Sequence, residues 1–383
     1  LAVNESISRI VIIGPAHPFR GGIADTNEAM ARAFQRAGHE VDLVTFTVQY
    51  PSLVFPGKSQ FSDDSAPERL RIHRWIHSFN PLNWIGAARK IAQLNPDVVI
   101  IRYWLPLMAP CFGSIARLLG KRMKVIGLTD NVIPHETRLM DTLFTRYFMS
   151  ACDGFMALSE AVAGDLKSLS DKPSSHYPHP INDQLGALVE QSVARAALHL
   201  PEGPFYLLFF GFIRPYKGLD LLLEALADDR LKKADVHLIV AGEAYESLEP
   251  YHALVEQKQM QDRVHWFTDF IPNEKVPLYF GAADWVAQTY RTATQSGITQ
   301  MALHFEVPAL ITKVGGLEEF VVEGKTGYFC EPQVPAIAQQ IVNIVQEQGN
   351  TDYTASIQAQ KRRFSWDAFV AHFNQFISRT FTT

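Results

Sequence analysis

Residues 7–14, ISRIVIIG, form a short β-branched run that stops at a glycine, and residues 27–37 then place apolar side chains at helical spacing before Gly38. This predicts strand, loop, helix. Apolar runs recur at 40–46, 96–103, 124–130 and 154–159 with helical stretches between them. Strands that are apolar along their whole length belong to parallel sheets covered on both faces, so the pattern predicts a doubly wound α/β domain. Between residues 172 and 200 the pattern changes to a Pro- and His-containing connector, DKPSSHYPHPINDQ, and a helix that ends in LPEGP. A second series follows, with strands expected at 205–212, 237–243, 264–268, 285–290 and 308–313 and helices at 219–227, 251–259, 275–282 and 296–305. Two tandem doubly wound, Rossmann-like domains are expected, residues 1–183 and 201–364, with a linker at 184–200. Open parallel sheets bind ligands at the carboxyl ends of their strands, which predicts a site in a cleft where the two domains face each other.

The length of 383 residues agrees with two domains at roughly 150 residues each. With 35 Lys and Arg against 40 Asp and Glu the net charge is −5, so the chain lacks the cationic character that drives nucleic-acid binding. An apolar content of 47% with 20% charged residues excludes disorder as the main theme. Cys111, Cys152 and Cys330 lie too far apart for a disulfide framework or a Cys-x-x-Cys zinc site, which suits a reducing cytoplasm. No signal peptide or membrane span is expected: the N-terminal residues lack a basic flank with an apolar segment, and the longest uncharged run, residues 103–116, is short and contains Pro106 and Pro110.

Two loops after predicted strands carry candidate chemistry. Gly21 and Gly22 directly precede a helix, where they serve either as a plain turn or as backbone that approaches an anion closely. They do not form the G-x-G-x-x-G fingerprint of nicotinamide enzymes. Arg214 and Lys217 lie in FFGFIRPYKGLDLLLEAL between Gly211 and Gly218, either as solvated loop cations or as a diphosphate clamp at a helix start. His73 with His77, and His176 with His179, have possible metal spacings but no supporting carboxylate, so no metal is expected. Ser159 and Asp130 lack the G-x-S-x-G elbow of a hydrolase.

GFIRPYKGLDLLLEAL closely resembles the G-R-x-x-x-x-K-G-x-D-x-L-[LI]-E-A segment of family 4 (group 1) glycosyltransferases of the GT-B fold. LIVAGE, VHWFTDFIPNEKVPLYFGAADWVAQTY and VPALITKVGGLEEFVVEGKTGYF resemble further segments of that family. In the first half, GGIADTNEAMARAFQRAGHEVDLVT, DNVIPHE and MALSE do the same. The resemblance implies a retaining, metal-independent transferase that moves a sugar from a UDP- or GDP-linked donor to a saccharide or lipid-linked acceptor. Arg214 and Lys217 would hold the diphosphate and stabilise the leaving group. Gly21, Gly22 and Gly242 would contact the donor, and His135 would sit near the transferred sugar. The final residues, 365–383, resemble the family's helix that crosses back to the first domain.

One motif departs from the family. Its Glu-x7-Glu pair has no counterpart in TYRTATQSGITQMALHFEVPALIT, where Thr292 and Gln300 have the separation but sit about one residue out of register. Gln300 retains hydrogen-bonding capacity for a ribose, and Gln295, Ser296 and Gly297 at a helix start can cradle phosphate. The departure keeps two other readings open, a noncatalytic nucleotide-sugar-binding subunit and a sugar-nucleotide epimerase of the same fold. Aromatics in the first half (Trp75, Phe79, Trp84, Tyr103, Trp104, Phe112) are expected mostly in the core. With Arg117, Lys121, Arg122 and Lys124 they also suit peripheral contact with an anionic inner-membrane surface.

Overall fold

The computed structural model describes residues 7–50, 60–62, 65–120, 123–132, 140–181, 185–293, 296–347 and 352–381. The chain divides into two units, Leu1–Pro180 with Phe364–Thr383, and Ile181–Arg363.

The first unit is built on seven strands, β1 (Arg9–Ile13), β2 (Glu40–Val48), β3 (Arg71–His77), β4 (Val98–Tyr103), β5 (Lys124–Thr129), β6 (Gly154–Ala157) and β7 (Ser174–His176). All pair in parallel, in the order β3-β2-β1-β4-β5-β6-β7. Alternate residues of each strand feed opposite faces. Val11, Ile13, Val99 and Ile101 join one core with Phe112 and Phe148, whereas Ile10, Ile12, Val98 and Ile100 join another with Phe34, Phe369 and Phe373. The C-terminal helix Trp366–Phe381 therefore covers this sheet, and its Phe373 packs edge-on against Phe34 of the helix Gly22–Arg36, ring centroids 5.3 Å apart.

The second unit has β8 (Phe205–Phe210), β9 (Val236–Ala241), β10 (Val264–Phe267), β11 (Trp285–Gln288), β12 (Ala309–Thr312) and β13 (Gly327–Cys330), parallel in the order β10-β9-β8-β11-β12-β13. The same alternation splits Phe205, Leu207 and Phe209 from Tyr206, Leu208 and Phe210. Residues 191–197, within the stretch read as a linker, form a helix of this unit. Arg195 anchors it: the buried guanidinium donates to the Ala282 carbonyl at 3.1 Å and to Asp284 at 2.9 Å.

Three strands escaped the hydrophobic pattern, β3, β7 and β13, and each is the edge of its sheet. An edge strand is partly solvated and needs no continuous apolar run. β3 accordingly reads RIHRWIH, and β7 is three residues inside the Pro- and His-containing connector.

In each sheet the strand order reverses about one pair, β1 with β4 and β8 with β11. Successive connections leave toward opposite sides there, which opens a crevice at the carboxyl ends of those strands.

Candidate functional site

The loop after β8 occupies that position in the second unit. Gly211 has φ 93° and lies so close to Lys217 that a Cβ there would meet the lysine Nζ at 2.9 Å. Gly242, at the end of β9 with φ 136°, is pressed against the Gly211 carbonyl, 2.4 Å from where its Cβ would be. Residues Pro215–Lys217 then make one 3₁₀ turn, and Gly218 takes a left-handed conformation, φ 66° and ψ 35°, to start the helix Leu219–Leu226. The segment after β11 clasps this turn. Thr289 Oγ1 donates to the Gly218 carbonyl at 2.8 Å, and the Arg291 amide donates to the Tyr216 carbonyl at 2.7 Å.

Lys217 is held in this frame with only 6% of its surface exposed. Its Nζ lies 5.4 Å from the Tyr290 ring centroid and has no hydrogen bond or ion pair among the described residues. Burial, with a smaller contribution from Arg214, lowers its pKa to about 8. Arg214 is exposed, its guanidinium 4.7 Å from the Tyr245 ring centroid. A desolvated ammonium and an exposed guanidinium on one turn beside a helix start are groups of the kind that attract an anion.

Gln288, Thr299 and Thr312, which the sequence pattern does not single out, brace the site together with Ser296 and Tyr290. Gln288 donates through Nε2 to Ser296 Oγ at 3.2 Å and accepts from Thr299 Oγ1 at 2.6 Å, and Thr312 Oγ1 donates to the Tyr290 carbonyl at 2.6 Å. All five side chains are buried. Ser296 also caps the helix Gly297–His304, accepting from the Ile298 amide at 3.2 Å, and its hydroxyl pairs with that of Tyr290 at 3.2 Å. The Ser296 hydroxyl is thereby committed to the scaffold. Gly297 has open space around it, and Gln300 is half-buried with no hydrogen bond among the described residues. Gln295 lies outside the described residues.

In the first unit Gly21, with φ 114°, precedes the helix Gly22–Arg36, and neither glycine has an atom within 4 Å of a notional Cβ. The backbone at this helix start is accessible. His135 lies outside the described residues. Arg102, at the end of β4, is fully buried and grips both Asp130 oxygens at 2.5 Å, while its Nη2 donates to His179 Nε2 at 3.3 Å. His179 in turn donates from Nδ1 to the Pro180 carbonyl at 2.9 Å, and burial with the Arg102 charge lowers its pKa to about 4. It is a neutral acceptor. His73 bonds Asp42 at 2.8 Å, and Ser159 caps the helix Glu160–Leu169. Among the described residues no group of three or more His, Cys, Asp or Glu side chains is arranged to hold a metal ion.

Comparison with known proteins agrees with this geometry. Residues 20–184 match Glycosyltransferase Family 4, and residues 190–363 match Glycosyl transferases group 1. The chain belongs to the family 4 glycosyltransferases. Among curated relatives it is 29% identical over 161 residues to the lipopolysaccharide 1,2-N-acetylglucosaminetransferase of Salmonella typhimurium, covering 40% of this chain and 41% of that protein. It is 31% identical over 185 residues to the D-inositol 3-phosphate glycosyltransferase of Segniliparus rotundus, covering 47% and 41%. The chain thus spans about two fifths of the length of these two relatives. Among solved structures, the sucrose-phosphate synthase of Thermosynechococcus elongatus has a TM-score of 0.69 at 18% identity, covering 98% of this chain and 99% of that one. HepE of Anabaena in complex with UDP has a TM-score of 0.66 at 16% identity, covering 96% and 100%. These likenesses show the fold.

The clasped turn depends on Gly218, where an alanine Cβ would lie 2.1 Å from the Thr289 carbonyl oxygen. Gly218→Ala is expected to cost about 1–2 kcal/mol in left-handed strain alone. Chemical denaturation checks this, and unchanged stability would contradict the described turn.

Proposed function

We propose that this chain is a retaining glycosyltransferase that moves a hexose-type sugar from a UDP- or GDP-linked donor to a hydroxyl of a saccharide or lipid-linked acceptor. The observation that carries the reading is Lys217, a buried ammonium with no anionic partner among the described residues, at the reversal point of the second sheet. Family membership and the UDP held by the similarly folded HepE support it.

Lys217 and Arg214 grip the donor diphosphate. As the glycosidic bond to the diphosphate breaks, negative charge grows on the leaving oxygen. The two cations, held in place before the reaction, stabilise that charge without reorganising. The acceptor hydroxyl attacks the anomeric carbon on the face the diphosphate leaves, and the departing oxygen takes the hydroxyl proton. No side-chain base is required for that transfer. Gly21 and Gly22 present backbone to the donor, Gly242 keeps the end of β9 low beside the diphosphate, and His135 contacts the transferred sugar. The exposed N-terminus of the helix Gly297–His304 offers amides to the donor, and Gln300 supplies a neutral hydrogen-bonding group where the family carries a carboxylate.

A lipid-linked acceptor gives meaning to a face of the first unit. Leu82, Leu118 and Leu143 are at least half exposed there, on three successively packed helices, Pro81–Gln93, Ala109–Leu119 and Asp141–Ala151. Arg89, Arg117 and Arg146 are exposed on the same helices. Apolar side chains among cations suit the surface of an anionic bilayer at the cytoplasmic leaflet. No helix among the described residues is long and apolar enough to cross a membrane.

Lys217→Ala is expected to weaken UDP or GDP binding by about 1.5–3 kcal/mol, roughly tenfold or more, measured by calorimetry. Unchanged affinity would overturn the site. Binding with neither transfer nor slow donor hydrolysis would favour a noncatalytic subunit, and turnover of a UDP-sugar without acceptor an epimerase. The membrane face is checked by co-sedimentation with phosphatidylglycerol vesicles, where Leu82→Asp with Leu143→Asp should abolish binding. Binding equal to wild type would contradict it.

A further inference from the structure

Beside the 3₁₀ turn, within the second unit, lies an open groove of about 600 Å³ to which none of the chemistry above assigns a role. One wall is the turn itself, through Pro215 and Tyr216. Asp220 in the first turn of the helix Leu219–Leu226, Glu246 and Tyr251 after β9, and Arg291 after β11 are among its other walls. Its volume is in the range of small-molecule sites.

The groups on its walls are paired in a way that leaves hydrogen-bonding capacity free. Arg291 donates from Nη1 to Asp220 Oδ1 at 2.8 Å and to the Pro215 carbonyl at 3.0 Å, and from Nη2 to Asp220 Oδ2 at 2.5 Å. Both side chains remain more than a third exposed, so guanidinium donors and carboxylate lone pairs stay available side by side. The Tyr251 hydroxyl donates to Glu246 Oε1 at 2.8 Å, which leaves Oε2 as a second open acceptor. Tyr216 is 42% exposed and set edge-on to Tyr290, which gives the groove a ring anchored from behind.

Charge selects among ligands. Two carboxylates, Asp220 and Glu246, face one guanidinium, Arg291, and that guanidinium is already paired. A phosphate or nucleotide would meet net negative charge. A neutral polyol meets alternating donors and acceptors for its hydroxyls, each of which is itself donor and acceptor. The apolar surfaces of Tyr216 and Pro215 suit the C–H face of a pyranose ring.

We propose that this groove is a saccharide-binding subsite beside the diphosphate site, sharing with it the turn Pro215–Lys217 and the Arg291 segment that clasps that turn. It stands on the groove's own groups and does not require the role assigned to Lys217.

The test is saturation-transfer NMR on the full chain with methyl glucosides, methyl galactosides, methyl N-acetylglucosaminides and their disaccharides, against the variants Tyr216→Ala, Glu246→Gln and Lys217→Ala. Both groove substitutions are at exposed or half-exposed positions and leave the Arg291–Asp220 clasp intact, and an unchanged unfolding midpoint confirms their fold. At least one glycoside is expected to give a signal with the wild type. Its affinity should fall roughly tenfold in Tyr216→Ala, the loss of one ring-sized contact, fall again in Glu246→Gln, and persist in Lys217→Ala. Absence of signal from every glycoside would overturn the proposal. So would a signal that both groove variants retain, or one that only Lys217→Ala removes, which would place the sugar at the diphosphate site.

Discussion

The second unit is organised around a positive charge that the fold buries with no ion-pair partner among the described residues. Lys217 sits among Gly211, Tyr290 and the end of β11, and its pKa near 8 means that the folded protein carries the charge at a cost of roughly 3 kcal/mol. Such a cost is tolerable only where the surroundings over-determine the geometry. They do so here: Gly218 lies against the Thr289 carbonyl, Thr289 holds the turn by its hydroxyl, and the Gln288, Ser296 and Thr299 network fixes the strand end behind it. In the proposed function, an arriving diphosphate would relieve that penalty at groups already held in place.

Arg102 in the first unit makes the contrast plain. It is buried as deeply, also at the carboxyl end of a strand beside the order reversal, yet it is matched by both oxygens of Asp130 and by a neutral His179. A buried charge paired on two sides is structural. It ties Asp130, just after β5, and the chain at Pro180 to the end of β4, whereas the Lys217 ammonium has no such partner among the described residues.

Much of this was legible in the sequence for a physical reason. Central parallel strands must be apolar on both faces, so β1, β4, β8 and β9 announce themselves, and the glycines around Arg214 and Lys217 mark backbone that turns tightly. Edge strands such as β3 lack that signature. The bracing residues were not legible either, because Gln288, Thr289 and Thr299 are ordinary polar residues whose burial depends on partners brought in from other segments. The same holds for the groove, where Tyr216, Tyr251 and Arg291 are 35 to 75 positions apart and meet only in the folded unit. Arg195 tells a related story: a composition that reads as a connector becomes part of a domain through one buried ion pair with Asp284.

The protonation state of Lys217 is read directly by NMR of protein labelled with ¹³C at lysine Cε. In the free protein the Lys217 resonance should titrate near pH 8, well below the ordinary lysine value of 10.5. An anion bound beside it favours the charged form, so saturating UDP should move that titration upward, with a proton taken up on binding and affinity falling as pH rises through the window between the two values. A Lys217 that titrates near 10.5 when free, or whose titration UDP leaves unmoved, would contradict the claim that this buried ammonium is the seat of the diphosphate.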